Sequence, residues 1–595
     1  MEEFLTVDQL NTSLQRFSWP DYTVFFIMLL LSALIGVYFG FFKESKSSTD
    51  YLIGGRSMKV FPISLSLIAS YISGISLLGT PTEIYLYGTQ YVYCVGGLIL
   101  MGLVMSKAYL PVFHDLKLTS SYEYLAMRFD NKVRLFGSLL FCISVLFLLQ
   151  INWLSLVIYV PALAFNQVSG IDVHLITPLV CLVCIFYTSM GGLKAVVWTD
   201  VLQTFSMFGA IILVIVKGTL DVGGVAEVFK RNIESGRIEY PEWSLDPTLR
   251  HTIWNLVIGG CISFLQSNAV SQTMIQRYLA LPTKQEATRA VWYFILGTLS
   301  LILLCSYSGL LIFAVYHTCD PLTTKLAKAK DQLLPLLVMD TLGSLPGLPG
   351  LFVAGVFSAA LSSMSTGLNS MAAVTLEDFY KPFIKPQPTN RESTILMRFV
   401  VVVIGIVCVC LVYVVENLGA VLQLAISLSA ITNGPSIGLF TMGIFLPFIN
   451  STGALYGGLL GLLSMACMII GTQTVIARGH LTFPLKPVTT SGCNYAFNST
   501  TPVVVIDSMA ANVWSLFQVS YMWYTILGCI ISILVASIVS IFTQEEKLEK
   551  LKLELFSPII RKYLIQTDTG LICIKMKKTL VSFEIPVISI STTEE

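Results

Sequence analysis

Three stretches concentrate oxygen donors inside segments that are otherwise hydrocarbon. Ser64 to Pro81 carries small and hydroxyl residues through its middle, with Gly74 where a helix is expected to unwind. Gly259 to Gln272 sets the Gly259-Gly260 pair and several amides in an apolar run, a second expected break. Ser358 to Thr366 gathers hydroxyls, among them Ser362 and Ser363, which point about 100° apart on a helix. Both can reach a cation in the crevice beside that helix, or bond back to carbonyls one turn earlier. Hard cations take such oxygen ligands, and carbonyls freed at helix breaks add to the set. A neutral oxygen cage suits a monovalent ion, because burying carboxylates with no divalent partner is costly. Ser64 to Pro81 reads equally as a tightly packed interface of small residues. No nucleophile–base pair or metal cluster is visible and the five His are scattered, so an enzyme is not expected. A net charge of +1 says nothing about nucleic acid, but no basic patch interleaved with aromatics is visible, so no nucleic-acid partner is expected. No protein partner is evident either.

The elements that must position these groups are membrane spans. The 595 residues are 55% hydrophobic and only 12% charged, with a mean hydropathy of +0.76. A soluble chain of this length needs far more charge to cover its surface. Runs such as Tyr22 to Phe42 and Phe399 to Val415 are each long enough to cross a ~30 Å hydrocarbon core. Apolar stretches bounded by polar or Gly/Pro punctuation predict about 13 transmembrane helices. They lie near 22–42, 58–80, 91–112, 133–164, 171–190, 196–217, 252–276, 290–316, 347–375, 394–415, 418–447, 453–472 and 520–542. The fold class is therefore an all-α polytopic membrane protein. Its two expected broken helices lie five spans apart, the spacing of an inverted five-helix repeat.

Loop charge orients the set. With the N-terminus outside, 25 Lys and Arg fall on inside segments and 11 on outside ones, as the positive-inside rule requires. The segment before the first span holds Glu2, Glu3 and Asp8 and lacks the basic start of a signal peptide. The expected organisation is an extracellular 1–21, a first span and cytoplasmic loop at 22–57, and a core at 58–447. Two further spans with an extracellular loop follow at 448–542, and then a cytoplasmic tail at 543–595. Sequons at Asn11 and Asn498 fall outside, while Asn450 falls inside and should be unmodified. Most of the 13 Cys lie in apolar spans and read as packing. Cys319 and Cys493 fall in outside loops and could pair, stay free or pair elsewhere. The charged run from Gln544 to Lys550 reads as a solvated helix under the membrane.

Several motifs between about 50 and 450 resemble the sodium/solute symporter family. They are Gly191-Gly192-Leu193-Lys194-Ala195-Val196-Val197-Trp198-Thr199-Asp200 and Gln276-Arg277-Tyr278-Leu279-Ala280. Leu78 to Tyr85, Cys319-Asp320-Pro321 with Asp331-Gln332, and Ala372 to Asp378 resemble the branch of sodium-coupled monocarboxylate, multivitamin and iodide transporters. The resemblance implies a LeuT-type core of spans two to eleven. It also implies a sodium site made by carbonyls of Ala69, Ile72 and Ala359 and hydroxyls of Ser362 and Ser363. Asp200 matches an aspartate that guides sodium on the cytoplasmic route; the plainer role is capping, or pairing with Lys194 at the membrane edge. The implied solute contacts are Ile75, Ser76, Trp153, Gln272 and Asn433. The sequence departs from the branch there, with Ser76 for Thr, Ala or Gln, Trp153 for Tyr, Ser271 for Asn, and Leu86 for a basic residue.

The expected function is sodium-coupled symport of a small anionic or apolar solute across the plasma membrane by alternating access. Sodium is the co-transported ion and the lipid bilayer the medium. A monocarboxylate such as lactate or pyruvate leads; biotin or pantothenate, an inorganic anion or an uncharged solute follow. A sodium-gated sensor or leak channel on the same scaffold is the rival class.

Overall fold

The computed structural model describes residues 6–15, 17–43, 47–147, 153–415, 422–497, 514–543, 550–564 and 571–573. Among these, eight helices are long and apolar enough to cross a membrane, from Trp19–Phe42 to Tyr521–Phe542. Other apolar segments are interrupted. Val60–Tyr71 and Gly74–Tyr87 are separate helices, because Ile72 (φ −86°, ψ 110°) and Ser73 (φ −90°, ψ 163°) are extended. The Ser73 hydroxyl accepts from the Ser76 N–H and starts the second helix. Gly74 lies just past the break with its own helix, and a Cβ there would sit 2.6 Å from Pro161. It serves close packing, and the unwinding falls one residue earlier.

The second interruption also misses its glycines. Gly259 and Gly260 remain helical, and the chain opens at Ser271 (φ −63°, ψ 130°) before Gln272–Leu279 begins. A Cβ on Gly259 would meet the Met522 carbonyl at 2.3 Å, so this glycine admits a neighbouring backbone.

Val173–Val222 runs for 50 residues. As one straight rod it would measure about 75 Å, over twice the hydrocarbon core. Gly192 divides it with φ 55° and ψ −151°, between the spans expected at 171–190 and 196–217. A side chain there would strike the Tyr51 carbonyl at 2.7 Å. The Tyr51 hydroxyl donates to the Thr188 and Ser189 carbonyls, and Lys194 pairs with Asp50 at 2.6 Å. The short Ser48–Ile53 helix thus pins the turn.

Leu348–Val374 is the axis of the molecule. Ninety-four per cent of the most apolar window of the span it opens, Leu348–Phe383, is buried, against 28% for Ser451–Ala477. At one face the Cys319–Cys493 disulfide ties two loops, reinforced by Asp320 N–H to Thr489 carbonyl at 2.9 Å. Thr6 bridges Ala496 on that same face. At the other face the tail is docked. Lys550–Lys552 pairs antiparallel with Leu571–Cys573, and Leu555 and Phe556 are buried. Tyr124 donates to the Leu555 carbonyl at 3.0 Å and Ser557 N–H to that of Ile444 at 3.1 Å. The solvated helix expected at 544–550 lies outside the described residues except for Lys550, which starts the strand Lys550–Lys552; beyond it, apolar burial holds 551–564 in place.

Candidate ion and solute site

At the end of Val60–Tyr71 the Ile68 carbonyl accepts from Ile72 N–H at 3.1 Å, the carbonyls after it lack partners within the helix, and the central helix supplies hydroxyls opposite them. Ala69 and Ala359 lie in one buried cluster with Met207. One turn on, Ser362 Oγ is 3.3 Å from Ser70 Oγ, and Ser363 Oγ donates to the Ser70 carbonyl at 3.5 Å. Ala69, Ile72, Ala359, Ser362 and Ser363 are all buried. Two elements nearly 300 residues apart thereby bring carbonyl and hydroxyl oxygens together at a helix break, a donor set suited to a hard monovalent cation.

The surroundings are not neutral. Asp200 is fully buried and accepts from Ser362 Oγ at 2.6 Å and Ser66 Oγ at 2.5 Å. Arg277 Nη2 meets the same carboxylate at 3.1 Å and donates to Thr366 Oγ1 at 2.5 Å. Its Nε donates to Ser66 Oγ at 2.7 Å and its Nη1 to the Thr273 carbonyl at 2.8 Å. The cost of enclosing a carboxylate is offset by this paired, hydrogen-bonded guanidinium. Asp200 consequently pairs with Arg277 and not with Lys194, whose partner is Asp50. Ser66, Ser70, Thr366 and Arg277 are the members that sequence reasoning left out. Arg277 was readable as more than a loop charge, since it follows the break closely in an apolar region where a basic residue demands a partner.

The solute candidates separate. Ile75 is buried in the first turn after the break, while Ser76 beside it in that turn is exposed. Asn433 is half-buried on Leu422–Phe445. The Gln272 side chain is engaged by a connector's backbone: its Oε1 accepts from Ser121 N–H at 2.8 Å and its Nε2 donates to the Thr119 carbonyl at 3.1 Å. The Trp153 and Asn11 side chains and all of Asn498 lie outside the described residues. Asn450 caps Ser451–Ala477, its Oδ1 accepting from Gly453 N–H at 2.7 Å.

A sequence profile described as "SSF: Sodium:solute symporter family" matches residues 51–461. Sodium-coupled monocarboxylate transporter 1 of Xenopus laevis is 36% identical over 537 residues, covering 88% of this chain and 85% of that protein. Sodium-coupled monocarboxylate transporter 2 of Homo sapiens is 35% identical over 549 residues, covering 92% and 87%. A putative sodium-dependent multivitamin transporter of Drosophila melanogaster is 36% identical over 524 residues, covering 86% and 84%. Among solved structures, a substrate-bound outward-open Na+-coupled sialic acid symporter superposes with a TM-score of 0.71 at 25% identity. That match covers 89% of this chain and 99% of the symporter.

Proposed function

This chain belongs to the sodium:solute symporter family, and from that premise we propose that it couples sodium to inward movement of a small monocarboxylate across the plasma membrane. It is a multi-pass membrane transporter of LeuT type, not an enzyme, and sodium is its co-transported ion. The observation that carries the proposed ion site is the approach of Ser362 and Ser363 to Ser70 beside the Ile72–Ser73 break. In this reading Ala69, Ile72 and Ala359 give carbonyls and Ser362 and Ser363 give hydroxyls to sodium. Asp200, hydrogen-bonded to Ser362, forms the next stop on the cytoplasmic route.

The solute carboxylate lies against the N-terminal turn of Gly74–Tyr87, whose positive dipole end favours an anion. Ile75, the exposed Ser76, Trp153 and Asn433 complete the proposed contacts. The relatives' names support a monocarboxylate ahead of a vitamin. Sodium closes the break and completes the pocket, and rocking of the broken-helix bundle then opens it inward. Loop charge supports an external N-terminus and a cytoplasmic tail. The faces agree, since Thr6 joins Ala496 while the tail meets the Tyr124 connector.

Radiolabelled uptake of a monocarboxylate and vitamin panel into expressing oocytes, with sodium and with choline, tests this. Concentrative, sodium-dependent lactate or pyruvate uptake is the expected result. Uptake indifferent to sodium overturns the coupling. A sodium current without uptake favours a channel.

A further inference from the structure

Gln272 is the first residue of Gln272–Leu279, directly after the extended Ser271 that interrupts its span. It is fully enclosed, with 0% exposure. One amide oxygen lone pair and one N–H are engaged by the backbone of Thr119 and Ser121, which lie about 150 positions away in the connector after Thr89–Asp115. A side chain in that position presents no face to a solute.

The connector is held on both sides of the molecule. On one side stand Gln272, from the broken helix, and Arg56, which donates from its Nη2 to the Lys117 and Leu118 carbonyls at 2.6 and 2.8 Å. On the other stands Asp378, at the end of the central helix. It accepts from Ser120 Oγ at 2.7 Å and pairs with Arg134 at 2.7 Å. Ser120 and Ser121 are fully buried between these anchors. Adjacent residues of one connector therefore bond to the interrupted span and to the unbroken axis. For a bundle that rocks against an axis, such a double hook closes the crack between them. Opening toward this face must break the Gln272 bonds or the Ser120–Asp378 bond, since the connector cannot follow both elements as they part.

We propose that Gln272 is a positioning residue of the transport cycle, the pin of an inner latch, and not a solute contact. The inference rests on the alternating-access reading above. Its strength is modest: two neutral hydrogen bonds can be broken each cycle.

The test uses the full chain in oocytes, with surface biotinylation to normalise each variant. Gln272→Ala removes the pin, and Ser120→Ala removes the hook to the axis at a residue remote from the solute. Both are expected to raise the sodium current in the absence of solute at least threefold. Both should lower the maximal rate of lactate uptake while KM for lactate stays within twofold. A tenfold rise in KM with Q272A, or a changed order of preferred solutes, with no leak in either variant, overturns the latch and returns Gln272 to the pocket. Should Q272A fail to reach the surface, Ser120→Ala decides, a leak supporting the latch and its absence refuting it. The leak is read without any organic solute, so failure of lactate uptake in the unaltered chain would strike the substrate reading alone.

Discussion

Arg277 and Asp200 meet at 3.1 Å with side chains 1% and 0% exposed, and Ser362 joins the same carboxylate from the central helix. An ion pair so enclosed is tied to the candidate cation cage through two hydroxyls, Ser362 Oγ at 2.6 Å and Ser70 Oγ at 3.4 Å.

Breaking that pair is expected to cost more than replacing it. Arg277→Met leaves an uncompensated buried carboxylate, a loss of about 3–5 kcal/mol. Fluorescence-detected thermal unfolding in detergent should show a large drop in midpoint. Adding Asp200→Asn should recover much of it without restoring sodium coupling. Equal instability of single and double variants would contradict the pairing.

Ser362→Ala with Ser363→Ala removes two proposed sodium ligands. The half-saturating sodium concentration for uptake should rise about tenfold or more, equivalent to ~1.4 kcal/mol or above. Sodium titration of lactate uptake measures this; an unchanged midpoint would move the ion elsewhere.

Ser76→Ala should raise KM for a monocarboxylate severalfold while leaving the sodium midpoint in place. Ser76 is the exposed polar side chain of the first turn after the break, whereas Ile75 beside it is buried. Paired solute and sodium titrations separate the two effects.

Glu123, on the connector, accepts from Thr119 N–H at 3.3 Å. Burial first, and then the Glu377 carboxylate, push it up to about 7 from an ordinary 4.5, against the pull of Arg134. Asp378 adds to the rise, while Glu377 itself is paired with Lys381. A carboxyl raised on folding stabilises fully below its unfolded value, and that contribution is lost as pH climbs through the folded value. Stability should therefore fall between about pH 4.5 and 7 through this group. Glu123→Gln should flatten that limb of a pH-resolved melting profile and raise the midpoint at pH 8.

Phe556→Ala should destabilise the docked tail by up to about 3–5 kcal/mol, the usual range for a buried phenylalanine. The ring is fully buried and lies 5.1 Å from the Arg128 guanidinium. Limited proteolysis of the purified protein should then cut between 550 and 564 much faster.

Much of this was legible in residue order because a bilayer imposes length and polarity on every segment. The hydroxyls of Ser362 and Ser363 and the interrupted span near Ile72 announced themselves as polar groups in hydrocarbon. Glycines misplaced both breaks, because Gly74 and Gly259 answer to close neighbours, Pro161 and Met522, that no local pattern reveals. Gln272 is a related case. Its chemistry is visible in sequence, but its partners at Thr119 and Ser121 are not. Arg277 was counted among loop charges because only the folded chain shows Asp200 facing it.

The enclosure of Leu348–Val374 bears on biogenesis. The best window of the span it opens, Leu348–Phe383, has a mean hydropathy of 1.6, against 3.1 for the neighbouring Asn390–Val414. Ser358, Ser362, Ser365, Thr366 and Asn369 would all face lipid if it were inserted alone. Such a helix is received into the bilayer by helices already waiting for it, so the order of synthesis becomes part of how the chain matures. Substitutions that loosen the earlier helices would then appear first as failed membrane insertion, before any cycle of transport has begun.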